Sequence, residues 1–353
     1  MKINAKKLFN FFFIAGTFAV VLIIAFSNHE LADAWQTLFT LDPKWILIAL
    51  SGWFAYVFFN TLSLYVFLRN QKYSVSFLYA FSVTLIGFYY ANITPGASGG
   101  EPMQIFYLRK RNVPVGVGTS IATIKLFCSQ LMVVLTGFIL WLFNREAIAA
   151  QLGGVKWFII IGGIINFSAV PLLLLVGFYR PPAQALVNFC IRIGTKIRLI
   201  KDPERITQSA NAIMDTYHAS IQQLAKAPAQ VLAQLLFMGL GLFGLLSVPV
   251  SIYYAFGLSG TPWPHLLTIS YMVFWSASYT LPPGGSGAQE GGFFVYYSSI
   301  FTSGTIGLAL LIWRFITFYI FLLLGPLVTL ILDFMLKRKD KVETQAEDSG
   351  TET

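Results

Sequence analysis

Two short glycine- and proline-rich stretches decide how this chain folds. Residues 95–100 read Pro-Gly-Ala-Ser-Gly-Gly, and residues 283–288 read Pro-Gly-Gly-Ser-Gly-Ala. The first stretch follows the apolar run 75–93, and the second follows the apolar run 264–281. Because proline and clustered glycines interrupt helices, each run is predicted to be a helix that breaks at its Gly/Pro cluster.

Composition places both runs in a membrane protein. Of the 353 residues, 56% are hydrophobic and only 11% are charged, whereas soluble domains carry about 25% charged residues. The 33 Phe and 8 Trp suit a surface that faces lipid and its interfaces. Basic loops beside membrane spans explain the net charge of +9, so nucleic acid is not an expected partner.

Six longer apolar runs meet the requirement of about 20 residues for crossing a bilayer. They are residues 8–26, 45–68, 117–143, 155–178, 229–256 and 305–334. With the N-terminus inside, 19 Lys and Arg fall on the inner side, three fall on the outer side and two fall within spans. Since cytoplasmic loops are enriched in these residues, we expect a multi-pass protein of the cell membrane with both termini cytoplasmic.

The same distribution of charge puts both ends of each short run on one side. Basic residues flank 75–93 at both ends, and 264–281 begins and ends on the outer side. Each run is therefore predicted to form a re-entrant hairpin, or alternatively a pair of tilted, closely packed short helices. Broken backbone at this depth needs protein or a wet cavity to satisfy it.

The two halves of the chain share one pattern of charges. The Gly/Pro clusters lie 188 residues apart, and the carboxylates that follow them, Glu101 and Glu290, lie 189 apart. A cation inside an apolar span follows each carboxylate by 24 residues, Lys125 in the first half and Arg314 in the second. Together with the opposite directions of the flanking spans, this pattern predicts an inverted-topology repeat whose discontinuous helices form a substrate site near the midplane.

The predicted fold is thus an all-α polytopic membrane protein with about six full transmembrane helices and two re-entrant helical hairpins. One integral membrane domain covers residues 1–336, with repeats at about 8–143 and 155–334. A basic cytoplasmic insert occupies 180–228, and a polar tail predicted to be disordered occupies 337–353.

Both Gly/Pro stretches also resemble the conserved motifs of one family. Thr94-Pro95-Gly96-Ala97-Ser98-Gly99-Gly100-Glu101-Pro102 resembles the first motif of the lysylphosphatidylglycerol synthase transmembrane-region family, and residues 281–291 resemble the second. The resemblance covers roughly 8–336 and implies a flippase-like lipid transporter. Full enzymes of this family carry a soluble transferase domain after the membrane region. Here the chain ends at Thr353 after a 17-residue charged tail, so we expect a stand-alone member without that domain.

The four charged residues of the repeat are the first candidates for a substrate site. Glu101 and Glu290 would contact a cationic part of the substrate or take up a proton; alternatively, they cap helices whose free N–H groups they accept. Lys125 and Arg314 would bind phosphate, or else they only form ion pairs with these carboxylates that hold the fold. The two roles can also alternate, with an anionic headgroup opening an internal ion pair.

Eight further residues near the breaks complete the candidate substrate site. Their glycines permit close backbone approach to an anion at a helix N-terminus, or only tight helix packing, and their polar side chains would line a cavity or form plain interhelical hydrogen bonds. These residues are Asn92, Gly96, Ser98, Gly99, Gly284, Ser286, Gly287 and Gln289. No catalytic residue, metal site or cofactor is predicted, because the three His are scattered, Cys128 and Cys190 have no ligand spacing, and no P-loop is present.

Within the insert, residues 182–200 are predicted to form an amphipathic basic helix. It would lie on anionic lipids of the inner leaflet, or it would be a simple cytoplasmic linker.

Three functions fit this sequence. The leading hypothesis is a translocase that moves a phospholipid or lipid-linked anionic headgroup across the bilayer between the two hairpins. The alternatives are an enzyme or subunit in aminoacyl-phospholipid synthesis and an ion-coupled transporter of small solutes. The identity of the lipid, the direction of transport and any homo-oligomer are left open.

Overall fold

The computed structural model describes residues 31–152, 156–196, 202–278, 280–302 and 304–350. The predicted first span, 8–26, lies outside the described residues. Regular structure in the described part is helical throughout, which confirms the all-α prediction. The helices are α1 (Leu31–Thr40), α2 (Pro43–Asn70), α3 (Phe77–Ile93), α4 (Gly100–Arg109), α5 (Val115–Leu152), α6 (Lys156–Phe178), α7 (Arg180–Lys196), α8 (Pro203–Ala225), α9 (Pro228–Ala255), α10 (Trp263–Ala277), α11 (Ala288–Tyr297), α12 (Ile306–Arg314) and α13 (Ile320–Gly350).

Four helical stretches of the described part are long and apolar enough to cross a membrane. They are Pro43–Asn70, Val115–Arg145, Pro228–Ala255 and Ile306–Leu336, and each coincides with a predicted span. A fifth predicted span, 155–178, corresponds to α6, which together with α7 forms a helix pair bent by 105°. The protein is therefore a multi-pass membrane protein, and the total of six crossings stays a prediction.

Helices α2 and α9 form the central pair of the bundle. The Asp42 N–H donates to the carbonyl of Ala255 at 3.0 Å, at one end of the pair, and Gln234 Nε2 donates to the carbonyl of Ser63 at 3.1 Å near the other end. The two helices are therefore antiparallel. Between these points Gly52 lies against Gly244, where a Cβ on either residue would lie 2.6 Å from the other's carbonyl oxygen. Small residues at such positions let membrane helices approach closely.

Each Gly/Pro cluster lies at the turn between the two helices of a hairpin, as the sequence indicates. Helix α3 packs against α4 and α10 against α11. In the first hairpin the Tyr79 hydroxyl donates to the carbonyl of Tyr107 at 2.6 Å, and in the second the Tyr297 hydroxyl donates to the carbonyl of Leu266 at 3.4 Å. Each bond joins the start of the first arm to the end of the second, so the arms are antiparallel. We name the short 3₁₀ turns between the arms the first tip (Pro95–Ala97) and the second tip (Pro283–Gly285).

The outside of the bundle carries large apolar side chains. Phe143 of α5, Phe167 of α6 and Phe334 of α13 are 77%, 65% and 70% exposed. Isolated apolar side chains on a soluble surface are common, but a broad apolar girdle is typical of a lipid-facing one. The membrane prediction from composition and the surface of the folded chain agree.

The tail that the sequence predicts to be disordered, 337–353, follows the last membrane helix directly. Helix α13 continues through Lys337 to Gly350, and residues 351–353 lie outside the described part. The predicted insert is a pair of helices, α7 and α8; residues 197–201 between them lie outside the described part.

Candidate functional site

The two tips contact each other directly. The Gly96 N–H donates to the carbonyl of Leu281 at 2.8 Å, which joins the two hairpins through their backbones. The tips also share their conformation, since Gly96 and Ala97 have φ of 56° and 58°, and Gly284 and Gly285 at the corresponding positions have φ of 62° and 64°. This left-handed region favours glycine. Matching sequence clusters therefore form matching turns.

A cavity of about 300 Å³ lies beside the joined tips. Among the predicted site residues it is lined by Asn92, Gly96, Gly284, Gln289 and Arg314. The sequence reasoning did not include six other residues of its wall that carry a hydrogen-bonding side chain. These are Tyr56, Ser270, Ser278, Thr280, Trp313 and Thr317.

Arg314 is the charged group on the cavity wall. Its side chain is only 2% exposed, and its Nε donates to Glu290 Oε1 at 2.7 Å. Its Nη1 donates to Gln289 Oε1 at 2.8 Å, and Nη1 and Nη2 reach the carbonyl of Gly284 at 3.2 and 3.3 Å. A buried charge is tolerated when it is paired and its donors are satisfied. The second tip and the first turn of α11 supply all of these partners.

Glu290 holds the second hairpin and Arg314 together. One carboxylate oxygen pairs with Arg314, and the other accepts the Gly287 N–H at 2.6 Å. Gly287 is the N-cap of α11 and Glu290 is its third residue, so the carboxylate caps the helix as in a capping box. The Glu290 side chain therefore both caps α11 and forms an ion pair with Arg314.

Aromatic rings cover the guanidinium group. Its central carbon lies 5.4 Å from the Trp313 ring and 5.1 Å from the Phe318 ring, within range of a cation–π interaction. A Cβ on Gly284 would lie 2.1 Å from the Phe318 ring. Gly284 is therefore required both by its positive φ and by the space that Phe318 occupies.

A π-helical turn, Phe315–Tyr319, follows Arg314 and joins α12 to α13. Single π turns inside helices are frequent at functional sites. This turn adds a register shift directly after the cation and carries Thr317, which lines the cavity, and Phe318, which covers Arg314.

The first half does not form the corresponding ion pair. Glu101 is exposed and Lys125 is partly buried. The two groups are close enough to interact electrostatically, but neither forms a hydrogen bond or an ion pair within the described part of the chain. The predicted equivalence of the two carboxylate–cation pairs is not realised in this conformation.

Thr94 explains this difference between the halves. Its hydroxyl accepts the N–H of Gly99, the N-cap of α4, at 2.8 Å, and donates to the carbonyl of Tyr90 at 2.6 Å. The counterpart of Thr94 in the second half, 188 residues later, is Pro282, which has no hydroxyl group. Glu101 is the second residue of α4, not the third, so it is also one position too early to fold back onto the N-cap. The cap is thus made without Glu101, which is left free.

The remaining predicted residues lie around the tips without lining the cavity. Ser286 Oγ donates to the carbonyl of Pro283 at 2.8 Å and stabilises its own turn. Ser98 is exposed. Gly99 and Gly287 are the N-caps of α4 and α11, where their N–H groups are taken by Thr94 and Glu290. These four residues therefore shape the tips, and cavity contact comes from their neighbours.

A partly buried polar network that the sequence reasoning missed reaches the cavity through Ser278. Gln130 Nε2 donates to Asn166 Oδ1 at 2.5 Å, and Asn166 Nδ2 donates to Ser278 Oγ at 2.7 Å. Asn166 is only 6% exposed. The lone Asn within the apolar run 155–178 could have indicated this network, because polar residues inside membrane helices face the bundle interior.

Fold and site together define a class: an all-α integral membrane protein in which two broken helical hairpins meet beside a cavity whose wall includes the arginine of a buried ion pair. The family described as the lysylphosphatidylglycerol synthase TM region matches residues 11–325. The chain belongs to this family, which confirms the resemblance found in the two motifs. It is also similar to a UPF0104 membrane protein of Archaeoglobus fulgidus, with 22% identity over 266 residues that cover 72% of this chain and 76% of the relative.

Proposed function

We propose that this protein is a lipid translocase that moves a phosphate-bearing headgroup across the bilayer through the cavity beside the two tips. One observation carries the proposal: the guanidinium of Arg314 is held on the wall of a cavity formed where two broken hairpins meet. In transporters, discontinuous helices of this kind form substrate sites.

Arg314 can exchange one of its partners for phosphate. Its bonds to Glu290 and Gln289 are 2.7 and 2.8 Å long, whereas its two bonds to the Gly284 carbonyl are 3.2 and 3.3 Å. The longer bonds lie at the upper end of the normal range and are weaker. A phosphate oxygen would therefore displace the Gly284 carbonyl from the guanidinium group of Arg314. Glu290 would still hold the Arg314 side chain in place.

The size of the cavity favours a headgroup over a whole lipid. At about 300 Å³ it is at the lower limit of ordinary ligand pockets, which run from about 300 to 1,000 Å³. Two acyl chains would not fit beside a headgroup. The tails would therefore stay in the bilayer while the polar part passes the tips.

The arrangement of the halves supports alternating exposure. Counterpart helices α2 and α9 are antiparallel, and the two tips face each other through the bond from Gly96 to Leu281. An inverted repeat requires the first feature and accommodates the second. Movement of one hairpin against the other would open the cavity to each leaflet in turn.

The test is headgroup accessibility in liposomes that contain the purified protein. A fluorescent headgroup probe on an anionic phospholipid should become accessible to an external quencher faster than in protein-free liposomes. Arg314→Lys keeps the charge but loses the fork, so the rate should fall about tenfold, the effect of losing roughly 1.5 kcal/mol of charged hydrogen bonding.

Arg180→Lys is the matched control. Arg180 pairs with Asp215 at 2.8 Å, but both side chains are more than half exposed, and such pairs contribute about 0–1 kcal/mol. Its rate should equal that of the wild type. A wild-type rate no faster than that of empty liposomes would contradict translocation. An aminoacylated lipid made by the chain alone would favour the enzymatic alternative instead.

A further inference from the structure

Helix α7 carries an apolar stripe that the protein itself does not cover. Ala183 and Val187 face the bundle and pack into its core. On the adjacent face, Leu186, Phe189 and Ile193 are 53%, 60% and 43% exposed. Their spacing of three and four residues puts them on one side of the helix. We name these three residues, with the exposed Cys190 between them, the α7 stripe.

The bend before α7 sets its direction. The segments Ile160–Leu175 and Arg180–Lys196 meet at 105°. The first of these is a lipid-exposed apolar helix in which Ile164 and Phe167 are 64% and 65% exposed. If that helix crosses the bilayer, a helix at nearly a right angle to it lies along the bilayer surface.

All of the charged residues of α7 are basic. The helix contains Arg180, Arg192 and Lys196 and no Asp or Glu. Arg180 is paired with Asp215 of α8. Arg192 and Lys196 are exposed and form no ion pair within the described part of the chain. Two free cations beside an exposed apolar stripe match the headgroup layer of an anionic leaflet.

We propose that α7 is an interfacial helix, with the α7 stripe inserted among the upper acyl chains and with Arg192 and Lys196 bound to phosphates of anionic lipids. The occupant of this surface is the surrounding bilayer. The proposal is independent of the translocation cavity, because it rests on residues that do not line that cavity, and either proposal can fail without the other.

The native cysteines offer a direct test. Cys190 is exposed on the α7 stripe, and Cys128 is fully buried, so a thiol-reactive spin label on the folded full-length protein in lipid nanodiscs should mark Cys190. We expect this label to be more accessible to oxygen, which concentrates in the acyl region, than to a water-soluble nickel chelate.

The matched control moves the label across the same helix. Asn188 is exposed on the face opposite to the α7 stripe. In the Cys190→Ser, Asn188→Cys variant the preference should reverse, toward the nickel chelate. Equal access of the chelate at both positions would overturn the proposal, because α7 would then lie in water. Exclusion of both reagents at Cys190 would also overturn it, because protein or a second copy would then cover the stripe.

A second arm tests the choice of lipid. Energy transfer from a fluorophore on Cys190 to labelled phosphatidylglycerol, in vesicles that also contain phosphatidylcholine, reports local enrichment of the anionic lipid. The Arg192→Gln, Lys196→Gln variant should reduce this enrichment by at least about fivefold, as expected from the attraction of a single basic residue to an anionic surface. Unchanged enrichment would contradict the anionic part of the proposal.

Discussion

Glu290 and Arg314 form an ion pair in the middle of the bundle, with Nε 2.7 Å from Oε1 and with both side chains less than 5% exposed. The pair connects the second hairpin to the last membrane helix. Since Glu290 also caps α11 through the Gly287 N–H, one carboxylate links the cation to the start of the helix. The counterpart residues in the first half, Glu101 and Lys125, have no such link.

The first prediction compares these two carboxylates. Glu290→Gln leaves a buried guanidinium without its counter-charge, and removing one partner of a buried pair typically costs about 3–5 kcal/mol. Glu101→Gln changes an exposed side chain that forms no ion pair with the described residues, so its effect should stay within about 0.5 kcal/mol. Thermal unfolding of the two variants in the same detergent measures the difference. Equal loss of stability would show that the ion pair does not hold the fold.

The second prediction concerns the two tips. Gly284→Ala and Gly96→Ala both put a Cβ at a left-handed position, with φ of 62° and 56°, which costs about 1–2 kcal/mol. Only at Gly284 does the Cβ also collide with Phe318, at 2.1 Å, because the nearest atom to a Cβ on Gly96 lies 3.9 Å away on Leu281.

Gly284→Ala should therefore be clearly less stable than Gly96→Ala and should also displace Phe318 from Arg314. Thermal unfolding measures the difference in stability, and hydrogen exchange over α12 and the π turn reports the displacement. Identical behaviour of the two variants would mean that Phe318 does not require the glycine.

The third prediction concerns Thr94. Thr94→Val removes the hydroxyl that accepts the Gly99 N–H, while it keeps the shape of the side chain. Loss of an N-cap acceptor costs about 0.5–2 kcal/mol, so backbone hydrogen exchange should quicken at the start of α4. Thr94→Ser keeps the hydroxyl and should retain wild-type protection. If both variants exchange like the wild type, Thr94 does not cap this helix.

Sequence periodicity and charge predicted much of this fold because their physical causes are local. A run of apolar residues long enough to span, as in 229–256, has few alternatives in a chain with 11% charged residues. Each of the two Gly/Pro clusters at 95–100 and 283–288 interrupts its helix, because proline lacks an N–H and the glycines adopt positive φ. The link from Glu290 to Arg314 was also open to prediction, because two opposite charges in apolar surroundings tend to pair.

The asymmetry between the halves was not predictable in this way. It depends on whether a carboxylate is the second or the third residue of its helix, and the helix start is fixed by the tip. The role of Thr94 depends in turn on how α3 ends beside α4. The network of Gln130, Asn166 and Ser278 joins three helices whose contact only the tertiary packing determines.

The cavity itself tests the central claim most directly. Ala277 lines it and is 4% exposed, so Ala277→Leu adds volume where the headgroup is proposed to pass, without altering any charge. The matched control is Ala229→Leu, the same substitution at an exposed position near the start of α9. Both variants are first compared for stability, so that a failure to fold is recognised.

The decisive measurement is the rate of headgroup exposure in liposomes for these two variants. The account predicts that Ala277→Leu, when folded, slows translocation of the anionic phospholipid at least tenfold, whereas Ala229→Leu matches the wild type. A folded Ala277→Leu protein that moves the lipid at the wild-type rate would contradict passage through the cavity beside the tips.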